Sequence, residues 1–262
     1  MQKLGRNMDG YQGETIDIRR VLEEISEAAR AARWTDTLMR ADNGLELQAW
    51  HRGPAQPTKR VYISAGIHGD EPAGPLAVRQ LLREDRWPDD VEVWLCPCLN
   101  PTGFPLNRRD SVDGFDLNRE YLHLEAPETR AHVAWLESAP PFEVGLCLHE
   151  DWESLGFYLY EINLSGRPSH AEQIIQRVSA VCPIDLSPEI EDRPAVGGII
   201  RPSTDPQARP RWPEAFWLLQ HKTRHCYTLE APSDFAMPTR IAALVTAVRT
   251  VVEAPPGETF RT

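Results

Sequence analysis

Four short β-forming runs, each closed by polar or glycine-rich residues, constrain this chain more than any other feature of its sequence. They are VYISA (61–65), VEVWLCPC (91–98), VGLCL (144–148) and CYTL (226–229), with GFYLYEI (156–162) a further candidate. A run such as VGLCL lacks polar alternation, which is how a strand buried on both faces reads. Segments with apolar residues at helical spacing lie around these runs, at 16–34, 72–83, 128–137, 169–181 and 238–253. The alternation predicts an α/β fold: a mostly parallel, mixed central sheet flanked by helices. No internal repeat and no Gly/Ser-rich linker interrupts it, so residues 1–262 read as a single domain. The 23 prolines gather in long connections, above all 183–213. A connection that long in a compact unit is usually functional.

Charge and composition exclude several roles. The formal net charge is −11 and no Lys/Arg run tracks a phosphate backbone, so nucleic acid is not expected as a partner. No stretch of about 18 apolar residues exists to span a membrane, and MQKLGRNMDGYQGE lacks the apolar core of a signal peptide. The five cysteines are odd in number and four sit in apolar runs, as expected of reduced, buried thiols in a cytoplasmic protein. Cys96-Pro97-Cys98 is too tightly spaced for a zinc knuckle and has no second pair. No pattern of this kind sets the oligomeric state.

In an open α/β sheet the ligand crevice lies beyond the carboxyl ends of the strands. His68 and Glu71, in AGIHGDEPAG, follow the first run by a few residues. His149 and Glu150 follow VGLCL directly, and Glu230 closes CYTL. By itself the decapeptide admits three readings: a metal-binding turn, an anion-cradling loop and a polar turn without chemistry. It lacks the Walker lysine and the G-x-G-x-x-G spacing, which removes the anion cradle. Convergence of three strand ends favours metal. Two His, one Glu and an open fourth position is a common catalytic zinc set, here supplied by His68, Glu71 and His149. A carboxylate closing an apolar strand, as Glu230 does, needs a partner or a function.

Several motifs in order resemble the zinc carboxypeptidase (carboxypeptidase A) superfamily, which includes succinylglutamate desuccinylases, aspartoacylases and murein peptide amidases. They are GIHGDEP (66–72), NPTGF (100–104), RDSVDGFDLNRE (109–120), APETRA (126–131), CLHED (147–151), TLEAPSD (228–234) and the closing FAMPTRIAALVTAVRTVV (235–252). The resemblance implies the superfamily's three-layer fold and one Zn2+ per chain held by His68, Glu71 and His149. It implies that Arg109 polarises the scissile carbonyl and stabilises the oxyanion. Asn118 and Arg119 would hold a substrate carboxylate. Asp116 would accept the free ring N–H of His68, and Glu230 would act first as general base and then as general acid. Arg108 stands beside Arg109 as the other candidate, although counting back from Asn118 favours Arg109. Asp116 can equally be a turn cap and Asn118 a turn residue.

The chain also departs from the pattern. Superfamily peptidases carry a mobile tyrosine on the loop before the catalytic glutamate, whereas residues 183–225 contain none; Trp212, Phe216 and Trp217 lie there instead. The spacing from Glu71 to His149, 78 residues, is also compact, and both features suit the smaller desuccinylase-like or peptide-amidase-like members. The expected activity is hydrolysis of an amide bond, peptide or N-acyl, in a small carboxylate-bearing substrate. An N-acyl amino acid deacylase is the alternative within hydrolases, and a non-catalytic metal-binding module the alternative outside them. Asp151, Glu161 and the Tyr158/Tyr160 pair, just past His149, form either an amine-selecting wall or a solvated rim.

Overall fold

In the computed structural model, which describes residues 2–7, 11, 13–205 and 209–255, the apolar runs become the middle of a ten-stranded sheet. The strands are β1 (Thr35–Arg40), β2 (Glu46–Arg52), β3 (Lys59–Ala65), β4 (Val91–Cys96), β5 (Val144–Asp151) and β6 (Tyr158–Asn163). The last four are β7 (Glu189–Ile190), β8 (Arg193–Val196), β9 (Ile199–Ile200) and β10 (His225–Pro232), in the order β1-β2-β4-β3-β5-β10-β6-β9-β8-β7. The centre, β4-β3-β5-β10, is parallel throughout. Both flanks are largely antiparallel, with β6–β9 the one parallel pair there. The mostly parallel expectation therefore holds for the buried centre and not for the flanks. The reason is local: β3 and β5 are buried along almost their whole length, whereas β1 is half exposed.

Helices cover both faces. α1 (Ile18–Ala31), α2 (Ala73–Glu84), α4 (Ala171–Val178) and α6 (Met237–Val252) share one core with the sheet. α3 (Pro127–Ser138) and α5 (Glu214–His221) close the second core, on the other side. In α1 a single apolar stripe, Ile18, Val21, Ile25 and Ala29, is buried, and Asp17 caps the helix by accepting from the Arg20 N–H at 3.1 Å. The central runs and the five helical segments read from sequence appear with ends displaced by a few residues.

Three features were not visible as periodicity. The β1–β2 hairpin carries charge on an edge strand and so shows no apolar run. α5 is short and buried along most of its length, which removes the amphipathic signature. The 183–213 connection is built into the sheet rather than looping free, because β9 pairs in parallel with β6 and β7 and β8 extend that edge. Among the described residues, no helix is long and apolar enough to cross a membrane. All five cysteines are free and buried.

Candidate metal centre and substrate crevice

The two glycines of GIHGDEP explain why the loop after β3 can present side chains at all. Gly66 turns the chain at φ +60, packed against Pro75, Cys98 and Phe104. A Cβ on Gly69 would lie 2.2 Å from the Gly103 carbonyl carbon, so only glycine permits this approach of two backbones. Asn100, fully buried, locks the neighbouring turn. Its N–H donates to Gly66 O at 2.8 Å, its Nδ2 donates to Arg109 O at 3.1 Å and its Oδ1 accepts the Gly103 N–H at 2.9 Å. The NPTGF element thus ties the His68 loop to the Arg109 loop.

His68, Glu71 and His149 are all buried, and one ligand atom from each lies within 4.8 Å of the others. The two rings present Nδ1 to opposite oxygens of the same carboxylate: His68 Nδ1 sits in very close contact with Glu71 Oε1, and His149 Nδ1 lies 3.0 Å from Glu71 Oε2. The far side of the His68 ring meets a second carboxylate. Nε2 is 3.2 Å from Asp116 Oδ1, so a neutral ring donating there keeps its Nδ1 lone pair for a cation. Two imidazole nitrogens and one carboxylate converging on a common point fit zinc well. Burial opposes ionisation of Glu71, but the adjacent His68 and His149 rings hold its carboxyl well below the usual carboxylate range.

His149 does not follow its strand but lies inside it, as Glu230 does, because the β5–β10 ladder continues to Asp151 and Pro232. In that register Glu230 is directly beside His149, and it faces Tyr158 across the antiparallel ladder with β6. Adjacent strands run about 4.8 Å apart, so Glu230 borders the cluster. Burial, against the opposing influence of His149, pushes its carboxyl up to about 8. The hydrogen bonds of the described residues leave that carboxylate unengaged.

Asp116 is both a cap and a histidine partner. Its Oδ1 accepts the Asn118 N–H at 3.0 Å, starting the 3-10 turn Leu117–Arg119, and its Oδ2 accepts Arg109 Nε at 2.9 Å. Arg109 faces the crevice, with Nη1 3.9 Å from Glu71 Oε1. Arg108 turns away and donates to Ser111 O. Asn118 and Arg119 also line the crevice. The Asn118 Oδ1 is already engaged, accepting the Glu214 N–H at 2.9 Å, so its Nδ2 is the atom left for a ligand.

The segment 57–182 matches the family model "Succinylglutamate desuccinylase/Aspartoacylase catalytic domain". Carboxypeptidase SOL1 of Arabidopsis thaliana is 32% identical over 94 residues, covering 27% of this chain and 18% of the plant protein. Carboxypeptidase 2 of Trichophyton rubrum is 31% identical over 85 residues, 29% of this chain and 16% of the fungal protein. The chain thus matches less than a fifth of the length of these curated relatives. In fold, a candidate metallopeptidase from Shewanella amazonensis SB2B superposes with a TM-score of 0.78 at 22% identity, over 92% of this chain and 94% of that one. The metallo-carboxypeptidase from Pseudomonas aeruginosa, in complex with (2-guanidinoethylmercapto)succinic acid, superposes with a TM-score of 0.66 at 17% identity, covering 92% and 70%. In sequence over 57–182 and in fold over most of its length, this chain is similar to the zinc carboxypeptidase-like superfamily.

In this carboxypeptidase-like chain the crevice, of about 540 Å³, also gathers residues that motif reading missed. Arg193, Arg209 and Arg211 join Arg119 on its lining. Arg209 lies 5.0 Å from the centre of the Phe216 ring, and burial together with nearby Arg193 and Arg119 lowers its pKa. The signal for two of them was present as Arg-Pro-Arg in the long connection; nothing local marked Arg193. Asp151, Tyr158 and Tyr160 line the crevice, but Glu161 does not. Side chains alternate along β6, and Glu161 points to the other face, where it meets His225, Tyr227 and Arg201.

The Asp116 geometry carries a direct consequence. Asp116→Ala frees the His68 ring and Arg109 together, and is expected to weaken zinc affinity about 10–100-fold without abolishing binding. Competition against a chromophoric chelator measures this; unchanged affinity would separate Asp116 from the metal.

Proposed function

We propose that residues 1–262 act as one zinc-dependent hydrolytic unit that cleaves an amide bond, peptide or N-acyl, in a small carboxylate-bearing substrate. The observation that carries this reading is Glu230 lying beside His149 in the sheet, with its carboxylate unengaged, at a crevice also lined by Arg109 and Arg119. His68 Nδ1, Glu71 and His149 Nδ1 would hold the zinc, which when bound polarises the scissile carbonyl and makes water more acidic. Glu230 takes a proton from the attacking water as its oxygen bonds to the carbonyl carbon. Arg109 donates to the carbonyl oxygen as negative charge collects there; removing one such donor typically costs about 10²–10³ in rate. Glu230 then passes its proton to the leaving nitrogen as the C–N bond breaks. The five buried thiols suit the reducing cytoplasm.

An N-acyl amino acid deacylase is the second reading, favoured by the match of 57–182 to the desuccinylase/aspartoacylase model. Both readings place an anionic group at Arg119, and the further arginines on the lining support that polarity in a chain of net charge −11. Arg119 offers a carboxylate a bidentate fork that lysine lacks. Charge-assisted hydrogen bonds are worth about 1.5–3 kcal/mol, so Arg119→Ala should lower kcat/KM at least about tenfold. Amidating the substrate carboxylate should cause a similar loss, and the two losses should not add. Acid and amide substrates assayed against wild type and Arg119→Ala close the cycle. Additive losses would remove the carboxylate from Arg119.

A further inference from the structure

We infer that the buried pair Glu150–Arg240 is a positioning device that sets the distance between Glu71 and His149; this rests on the metal reading above. Glu150 follows His149 in β5, and its side chain, at the margin of the crevice, turns toward α2 and α6. Its Oε1 accepts the N–H of Ala73, the first residue of α2, and its Oε2 accepts Arg240 Nη1 at 2.7 Å and Ser233 Oγ at 3.3 Å. Arg240 comes from α6 and reaches Glu14 with its Nη2 at 3.3 Å. The side chains of Arg240 and Glu150 are 1% and 0% exposed.

The main chain of Glu150 completes the device, because its N–H donates to Glu71 Oε2 at 3.2 Å, the oxygen that also faces His149 Nδ1. One residue therefore grips the Glu71 carboxylate through its backbone and the helix that follows Glu71 through its side chain. A buried ion pair is often no more stable than neutral side chains of similar volume, since desolvation offsets the attraction. What apolar groups of that volume lack is direction. Arg240 holds Oε2 through Nη1 while its Nη2 reaches Glu14, which leaves Oε1 aimed at the Ala73 N–H and so fixes the GIHGDEP loop against β5.

The test uses the full chain carrying Glu150→Gln and Arg240→Met together, a neutral pair of similar size, with Arg240→Lys as a second variant that keeps the buried cation but loses the fork. Melting in chelator reports the metal-free fold, and zinc competition reports the site. The double variant should melt, metal-free, within a few degrees of wild type while binding zinc about 10–100-fold more weakly. Arg240→Lys should fall between the two in zinc affinity. On any hydrolysed substrate, kcat should drop with KM little changed, since the substrate carboxylate contact is untouched. Wild-type zinc affinity in either variant overturns the inference, and so does a loss of affinity that only tracks lost metal-free stability. Zinc uptake by wild type that His68→Ala leaves intact, or no uptake at all, overturns the metal reading itself and this inference with it.

Discussion

His68→Ala and His149→Ala are each expected to empty the metal site, taking the purified chain from close to one zinc per protein to none. Each removal leaves Glu71 with a single imidazole in a buried pocket. Two-ligand sites of that kind bind zinc far more weakly than a His₂Glu set. The alanine also opens a cavity where an imidazole packed and takes one partner from the buried Glu71 carboxylate, so some destabilisation accompanies the loss. Elemental analysis after exhaustive dialysis measures stoichiometry, and melting with and without added zinc separates loss of metal from loss of fold. Wild type should gain stability from zinc by mass action, and neither variant should. Full zinc retention in both variants would dismiss the site. Activity should vanish with the metal and should not return on adding excess zinc.

Glu230→Gln is expected to keep zinc and fold while losing about 10²–10⁴ in kcat, the usual contribution of a positioned general acid–base group. The substitution is close to isosteric. Burial already pushes the Glu230 carboxyl up to about 8, so a neutral amide meets no new desolvation cost on that strand. Its position beside His149, rather than among the converging ligand atoms, is why zinc should stay. Glutamine can still hydrogen-bond water but cannot take its proton, so KM should move little and kcat should carry the loss. Zinc content by elemental analysis and steady-state rates on one hydrolysed substrate suffice. A variant with wild-type kcat would falsify the proton-transfer role; a variant without zinc would make Glu230 a ligand instead.

Much of this protein is written locally. The runs at 61–65, 144–148 and 226–229 lack polar alternation because both their faces are covered, and that alone announces a buried parallel centre. The helical stripe of α1 is legible for the same reason: one face meets the core and the other meets water. His68 and Glu71 stand out because they sit among glycines after a strand, and Gly66 and Gly69 prove to be required by a positive φ and a backbone contact. Arg109, Asp116, Asn118 and Arg119 are candidates only through the order of motifs, whereas Glu230 is already conspicuous as a carboxylate closing an apolar strand.

Tertiary structure decided what depends on register and on distant partners. Asp116 reads equally as a cap or a histidine partner, and the fold makes it both because the turn it starts packs beneath His68. Counting back from Asn118 already favours Arg109 over Arg108, and the fold adds the geometry: the Arg109 guanidinium turns toward Glu71 while Arg108 donates to Ser111 O. Glu161 belonged to the crevice by proximity in sequence and left it by the two-residue period of β6. Arg193 and Arg209 reach the lining only because β7, β8 and β9 extend the sheet edge past β6. Glu150 and Arg240, 90 residues apart, show no periodic signal, because an ion pair between β5 and α6 is encoded in the packing of two elements and in neither alone. Residue type and short-range spacing specify what a segment can do chemically; which groups meet is set by strand order and helix packing, whose determinants lie far apart in the chain.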